Sequence, residues 1–150
     1  MQRFAILMLA TVLTFIPTTL AFAEASPTEI ARQYFEAVEG GDLDSAGALF
    51  ASTSSVFETG GQEGDWEHYR THHLGAEIDA IEQFEIRLAD PESESSADGS
   101  MAFVTWPIEY HIRLTDGREI ESRGTVTFVL VENNGAYRIR HLHWSSRRMS

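Results

Sequence analysis

The chain contains no cysteine and no lysine. The first absence excludes disulfides, cysteine-bound metals, thiol nucleophiles and a lipidated cysteine. The second leaves arginine to supply the permanent positive charge, and Lys and Arg together number 11 against 23 acidic residues. A formal charge of −12 with no basic stripe disfavours a phosphate backbone as partner, so no nucleic-acid binding is expected. Phosphate-cradling glycine loops, a nucleophile elbow and a dinucleotide fingerprint are also lacking, and no cofactor is expected.

What is present begins with an apolar run, FAILMLATVLTFIPTTLAFA, over residues 4–23 behind Arg3. Ala21 and Ala23 give an A-x-A pattern before Glu24, and Pro17 interrupts the hydrophobic helix just ahead of it. This reads as a signal peptide, 1–23, whose removal yields a periplasmic or secreted protein with no membrane attachment. A membrane anchor is the alternative reading of the same run. Residues 24–150 suffice for one domain with one core, and without Arg3 they carry 10 arginines against 23 acids, a formal −13.

Residues Ser26, Pro27 and Glu29 spell an N-cap, a first-position proline and a capping box, so a helix starts here and Gly40-Gly41 ends it. Ile30, Tyr34, Phe35 and Val38 share one stripe of it. Asp42 to Phe50 reads as a short second helix, and Ser54 to Gly61 as a strand running into a glycine turn. A third helix from Asp65 places Trp66, Tyr69, His73, Leu74, Ile78 and Ile81 on one broad face, with Gly75 as a candidate kink.

The period then changes from 3.6 to 2. Strands are predicted over Phe84 to Asp90 and Ala102 to Leu114, separated by the polar loop Pro91 to Ser100, with a bulge or edge at Pro107. Asp116-Gly117 and Asn133-Asn134-Gly135 mark two further turns, with Ile120, Val126, Phe128 and Leu130 inward on the strand between them. Helices first and meandering strands afterwards predict an α+β fold, a curved sheet wrapped over helices. In the last strand, alternation puts Tyr137, Ile139, His141 and His143 on the inner face and Arg138, Arg140, Leu142 and Trp144 on the outer one. An outward Trp144 would need covering, so a homodimer through Arg138, Arg140 and Trp144 is expected.

The segment YFEAVEGGDLDSAGALFASTSSVFETG (Tyr34 to Gly60) and the closing I-x-H-x-H-W-S together resemble the SnoaL-like members of the nuclear transport factor 2 superfamily. The resemblance covers nearly all of residues 24–150. It implies a cone-shaped, cystatin-like fold, with about three helices packed in a strongly curved mixed or antiparallel sheet and a pocket at the mouth. Set against the ketosteroid isomerase pattern, in which a carboxylate base faces an oxyanion hole, it also places Tyr34 at the oxyanion tyrosine and Glu58 at the base. Val126 falls at the second oxyanion donor, where its side chain has nothing to donate.

The candidate catalytic residues are therefore Glu58, Tyr34, His73 and His141, with Trp66, Tyr69, Trp106 and Phe128 lining a mostly apolar ligand pocket. Tyr34 could equally be a core residue, Glu58 a solvated turn residue, and His141 a hydrogen-bonded barrel residue. His68 and His72 stand at i, i+4 on the outer helix face, and no metal site is expected. Two functions follow from this set. One is proton-transfer chemistry, of isomerase or cyclase type, on a small organic ligand. The other is a non-catalytic dimeric binding or assembly module, its pocket vestigial or serving a metal or regulatory ligand.

Overall fold

The structure, a computed structural model, describes residues 25–150. The expected signal peptide lies outside the described residues. Helix α1 (Pro27–Glu39) starts where its cap residues say: the Glu29 N–H donates to Ser26 Oγ at 3.2 Å. Helix α2 (Leu43–Ala48) is capped by Asp42, whose carboxylate accepts from the Ser45 N–H and hydroxyl. Strand β1 (Phe50–Glu58) turns at Thr59-Gly60, both at positive φ, into the short β2 (Gly61–Gly64).

Asp65 caps the third helical segment, α3 (Trp66–Tyr69), which passes through a π-helical turn (Arg70–Leu74) into α4 (Gly75–Asp79). The irregularity expected at Gly75 takes this form because the Gly75 N–H reaches back to the Arg70 carbonyl, and a Cβ on Gly75 would lie 2.6 Å from that oxygen. The helix is shorter than its apolar pattern suggests: it stops at Asp79, and Ile81 opens a strand.

Strands β3 (Ile81–Leu88), β4 (Glu92–Ser95), β5 (Met101–Leu114), β6 (Glu119–Asn133) and β7 (Ala136–Arg148) follow. The polar stretch expected to be a loop thus contains β4, which its pairing with β5 holds extended even though all four residues are exposed. The sheet order is β2-β1-β7-β6-β5-β3, with β4 on β5 beside β3; β1 and β7 run parallel and the other pairs antiparallel. Pro107 makes no bulge. It sits where the partner of β5 changes from β3 to β4, and its carbonyl accepts from the Ala89 N–H.

The core lies between α1 and the inner sheet face. Phe35 meets Trp106, Phe128 and Trp144 edge-on at 5.5–6.0 Å, while Tyr34 meets Phe50, Trp66 and Phe128 in the same way. Each such pair contributes about 0.5–1.5 kcal/mol beyond its burial. A close approach fixes one glycine: a Cβ on Gly47 would lie 2.5 Å from Trp66 Nε1, and stacking on Phe50 at 4.5 Å holds that indole. Gly47→Ala is expected to destabilise the chain by about 1–3 kcal/mol through overpacking. A urea midpoint equal to the parent's would contradict this packing.

The last strand departs from simple alternation. The β6–β7 register pairs Leu130 with Ile139 but Val129 with His141, so Arg140 is an extra residue in a β-bulge. Beyond it the faces exchange. Leu142 and Trp144 are buried, whereas His143 is exposed and His141 is half-buried on the other side. The expected inward His141 and outward Trp144 are therefore both reversed. The face expected to pair two copies retains Arg138 and Arg140 but not Trp144, which is 6% exposed and packs on Phe35 and Tyr110.

Candidate functional site

A cavity of about 640 Å³ opens between the helical layer and the sheet. Val38, Leu74, Ile78, Ile81, Phe84 and Ile112 supply apolar wall, and Glu58 with Tyr34 and Tyr69 forms a polar inner corner. The parallel β1–β7 pairing sets Glu58 beside Trp144, and the Thr59 N–H donates to the Trp144 carbonyl, so the end of β1 is anchored where its carboxylate enters the cavity.

The Tyr69 hydroxyl donates to Glu58 Oε2 at 2.5 Å. Behind Glu58, outside the cavity wall, stands His73. Its Nε2 lies 3.8 Å from Glu58 Oε2 and 3.3 Å from Glu77 Oε1, and its Nδ1 lies 3.0 Å from Glu63 Oε2. The β1–β2 turn delivers Glu63, and the helix that contains the π-turn delivers Tyr69, His73 and Glu77.

Burial raises the Glu58 carboxyl above its usual range; the Tyr69 hydrogen bond and His73 oppose that, while Glu77 and Glu63 add to it. Tyr34 and Tyr69 are both raised, first by burial and then by neighbouring charge, so both hydroxyls stay protonated donors at neutral pH. For His73 burial pulls downward, but the hydrogen bond to Glu63 and the charges of Glu77, Glu58 and Glu63 outweigh it and the net shift is upward.

The sign for stability is the same for both groups. Glu58 and His73 bind protons more tightly folded than unfolded, so the fold loses stability as pH rises through each interval. For Glu58 the loss starts near 4.5 and ends at its raised folded value. For His73 the favourable contribution is complete below about 6.5 and vanishes as pH passes its folded value. Glu63→Gln replaces the charged acceptor behind the largest upward influence on His73 with a neutral one and removes the Glu63 charge, so the His73 NMR titration midpoint is expected to fall. An unchanged or higher midpoint would mean that Glu63 does not hold the imidazolium.

Of the expected site residues, Glu58, Tyr34 and Tyr69 line the cavity and His73 backs it. Trp106 and Phe128 are buried beneath the wall in the core, with Trp106 Nε1 bonded to the Ala89 carbonyl, and Trp66 is stacked on Phe50. They support the wall without lining it. His141 lies outside, where Nδ1 is 2.8 Å from Ser55 Oγ, and burial followed by the charges of His143 and Arg140 lowers its pKa. Glu63 and Glu77 join the site without having been expected there. The i, i+4 spacing of His73 and Glu77 is a visible signal for one, whereas Glu63 arrives through a hairpin that the sequence shows only as a glycine turn. Ligand atoms of Glu58, His73 and Glu77 lie within 4.8 Å of one another, a spacing a divalent cation could bridge.

A helix-backed mixed sheet with an acid-based corner in its cavity defines an α+β pocket protein. A SnoaL-like domain profile matches residues 28–149, and the chain belongs to that family. Solved structures agree on the fold. A nuclear transport factor 2-like superfamily protein from Salmonella enterica serovar Typhimurium is 20% identical, covering 82% of this chain and 89% of its own, with a TM-score of 0.71. A protein with a cystatin-like fold from Caulobacter vibrioides is 18% identical, covering 82% and 87%, with a TM-score of 0.68. A Shewanella frigidimarina protein provisionally named as a ketosteroid isomerase is 23% identical, covering 77% and 91%, with a TM-score of 0.65. No curated protein matches the chain.

Proposed function

We propose that the cavity takes a small, mostly apolar organic molecule and that Glu58 moves a proton on it, in isomerase- or cyclase-like chemistry. The observation that carries this reading is the 2.5 Å hydrogen bond from the Tyr69 hydroxyl to Glu58 at the inner corner of an otherwise largely apolar cavity. A half-buried carboxyl raised toward neutrality both accepts and returns a proton efficiently, and Tyr69 fixes the rotamer from which it does so. Tyr34, buried and protonated within range of the Glu58 charge, is the donor available to a developing oxyanion. His73 touches no cavity space; it positions Glu58 and offsets its charge.

Glu58 and the exposed Glu77 both line the cavity, and the half-buried Glu58 suits abstraction of a proton beside a carbonyl, with return at another carbon or at the same one. The test is hydrogen–deuterium exchange of a panel of apolar cyclic ketones in D2O, followed by NMR. Exchange above the buffer rate, dependent on Glu58, is expected. Its absence across the panel would favour the non-catalytic binding module.

A further inference from the structure

The cavity has two chemically different ends. Glu58 marks one, beside Trp144 on β7. Ser146 and Arg148 follow on the same face of β7, two and four residues farther on. At about 3.3 Å per residue, the Arg148 backbone lies about 13 Å from Trp144.

The sheet register builds a row around that far end. Arg148 pairs with Ser122, and Ser122 with Tyr110, so the three side chains stand next to one another on the inner face. The Tyr110 hydroxyl lies 2.9 Å from Ser146 Oγ. All four residues line the cavity, and Ser122 is a polar residue only 2% exposed. Ile112 and Ile120 pair one step beyond this row, on the side away from Trp144, and continue the apolar wall there.

Arg148 makes no ion pair among the described residues, and neither do Arg87, Arg123, Arg138, Arg140 and Arg147; Arg147 also lines the cavity, but Arg148 is the arginine whose strand position pairs with Ser122. An unpaired guanidinium at a cavity mouth, flanked by hydroxyls, is a fork that fits a carboxylate. The acids at the other end enforce direction. A carboxylate placed there would face Glu58, Glu63 and Glu77, whereas the Arg148 backbone stands about 13 Å along β7 from the position paired with Glu58, more than the screening length of about 8 Å at physiological salt.

We infer that the molecule this cavity takes carries a carboxylate, held by Arg148 with Ser122 and the Tyr110–Ser146 hydroxyl pair, while its apolar body extends toward Glu58. The inference rests on the cavity being the ligand site and not on Glu58 acting as a base. It deepens the reading above by giving the substrate class, an apolar organic acid, and its orientation, with the reacting atoms away from the charge.

Calorimetric titration of the full chain with 2-naphthylacetate and its neutral counterpart 2-naphthylacetamide tests it. The acid is expected to bind about tenfold or more tighter than the amide at low salt, and the difference should shrink as salt rises. Arg148→Met should reduce the preference to less than about twofold and leave amide affinity unchanged. Ser122→Ala, a small change that keeps the strand, should weaken the acid severalfold and the amide hardly at all.

Equal affinities in the parent protein overturn the inference, as does failure of both probes to bind at millimolar concentration. Preference that survives Arg148→Met, or that is lost instead in Arg147→Met on the neighbouring strand position, overturns the assignment to Arg148. Glu58→Gln should keep the acid preference. Preference without ketone exchange therefore rejects the base role alone, and exchange without preference rejects the anion end alone.

Discussion

Glu58→Gln is expected to abolish turnover while leaving the fold at least as stable as the parent. The amide has the shape of the carboxylate and retains an oxygen to accept from Tyr69, so the hydrogen bond at the inner corner has a replacement. What disappears is the proton-accepting charge. General acid–base catalysis contributes about 10²–10⁴-fold, and a loss of that size is expected in the exchange rate. Stability should move the other way. Above the usual carboxyl range the parent keeps an ionised group half out of water with Glu77 and Glu63 nearby, which disfavours the folded state; glutamine relieves that strain. Parallel measurement of exchange and of thermal unfolding at pH 7 distinguishes the cases. A variant that loses activity and stability together would make Glu58 structural, and one that keeps both would make it a bystander.

Trp144→Ala should have the largest effect on the fold. Trp144 packs on Phe35 and Tyr110 from the inner face, and truncating a buried tryptophan costs about 3–5 kcal/mol. For a domain of this size that lowers Tm by about 10–20 °C. Arg140→Ala, at the exposed bulge, is expected to change stability by less than about 0.5 kcal/mol. Thermal unfolding of the two variants therefore tests the bulge itself. If Trp144 covered a subunit contact instead, its loss would change oligomeric mass with little effect on the unfolding of each chain.

That bulge also shows where sequence patterning ends. Ser26 and Asp42 are legible as caps because a single side chain satisfies the orphan N–H groups of a helix start. The inward row Val104, Trp106 and Ile108 is legible because β5 keeps a strict period of two. Val126, Phe128 and Leu130 are legible for the same reason. One additional backbone residue at Arg140 reverses every assignment after it, and arginine carries no local preference that announces a bulge.

The site is half legible in the same sense. Resemblance and helix periodicity single out Glu58, Tyr34, Tyr69 and His73, and the structure gathers them at one corner. Glu63 and Glu77 join them through a hairpin and a π-turn. Glu77 carries the i, i+4 spacing to His73 as a sequence signal, but Glu63 is a tertiary placement that composition and period do not encode. Trp106 and Phe128 fall to the pocket in a sequence reading because inward aromatic residues look alike there. Packing against Phe35 uses their surface up before the cavity begins.

The parallel pairing of β1 with β7 also bears on folding order. Ser55 and His141, hydrogen-bonded neighbours across these strands, are 86 residues apart in the chain. Helices α1 and α2 and the β1–β2 and β5–β6 hairpins can form from local segments, but Glu58 gains its second sheet neighbour, Trp144, only once β7 has arrived. Closing so long a loop slows folding and leaves β1 with an open hydrogen-bonding edge during synthesis. The corner that carries the acid is thus among the last parts of the molecule to be assembled, and an incompletely folded chain would have helices and hairpins before it had a working cavity.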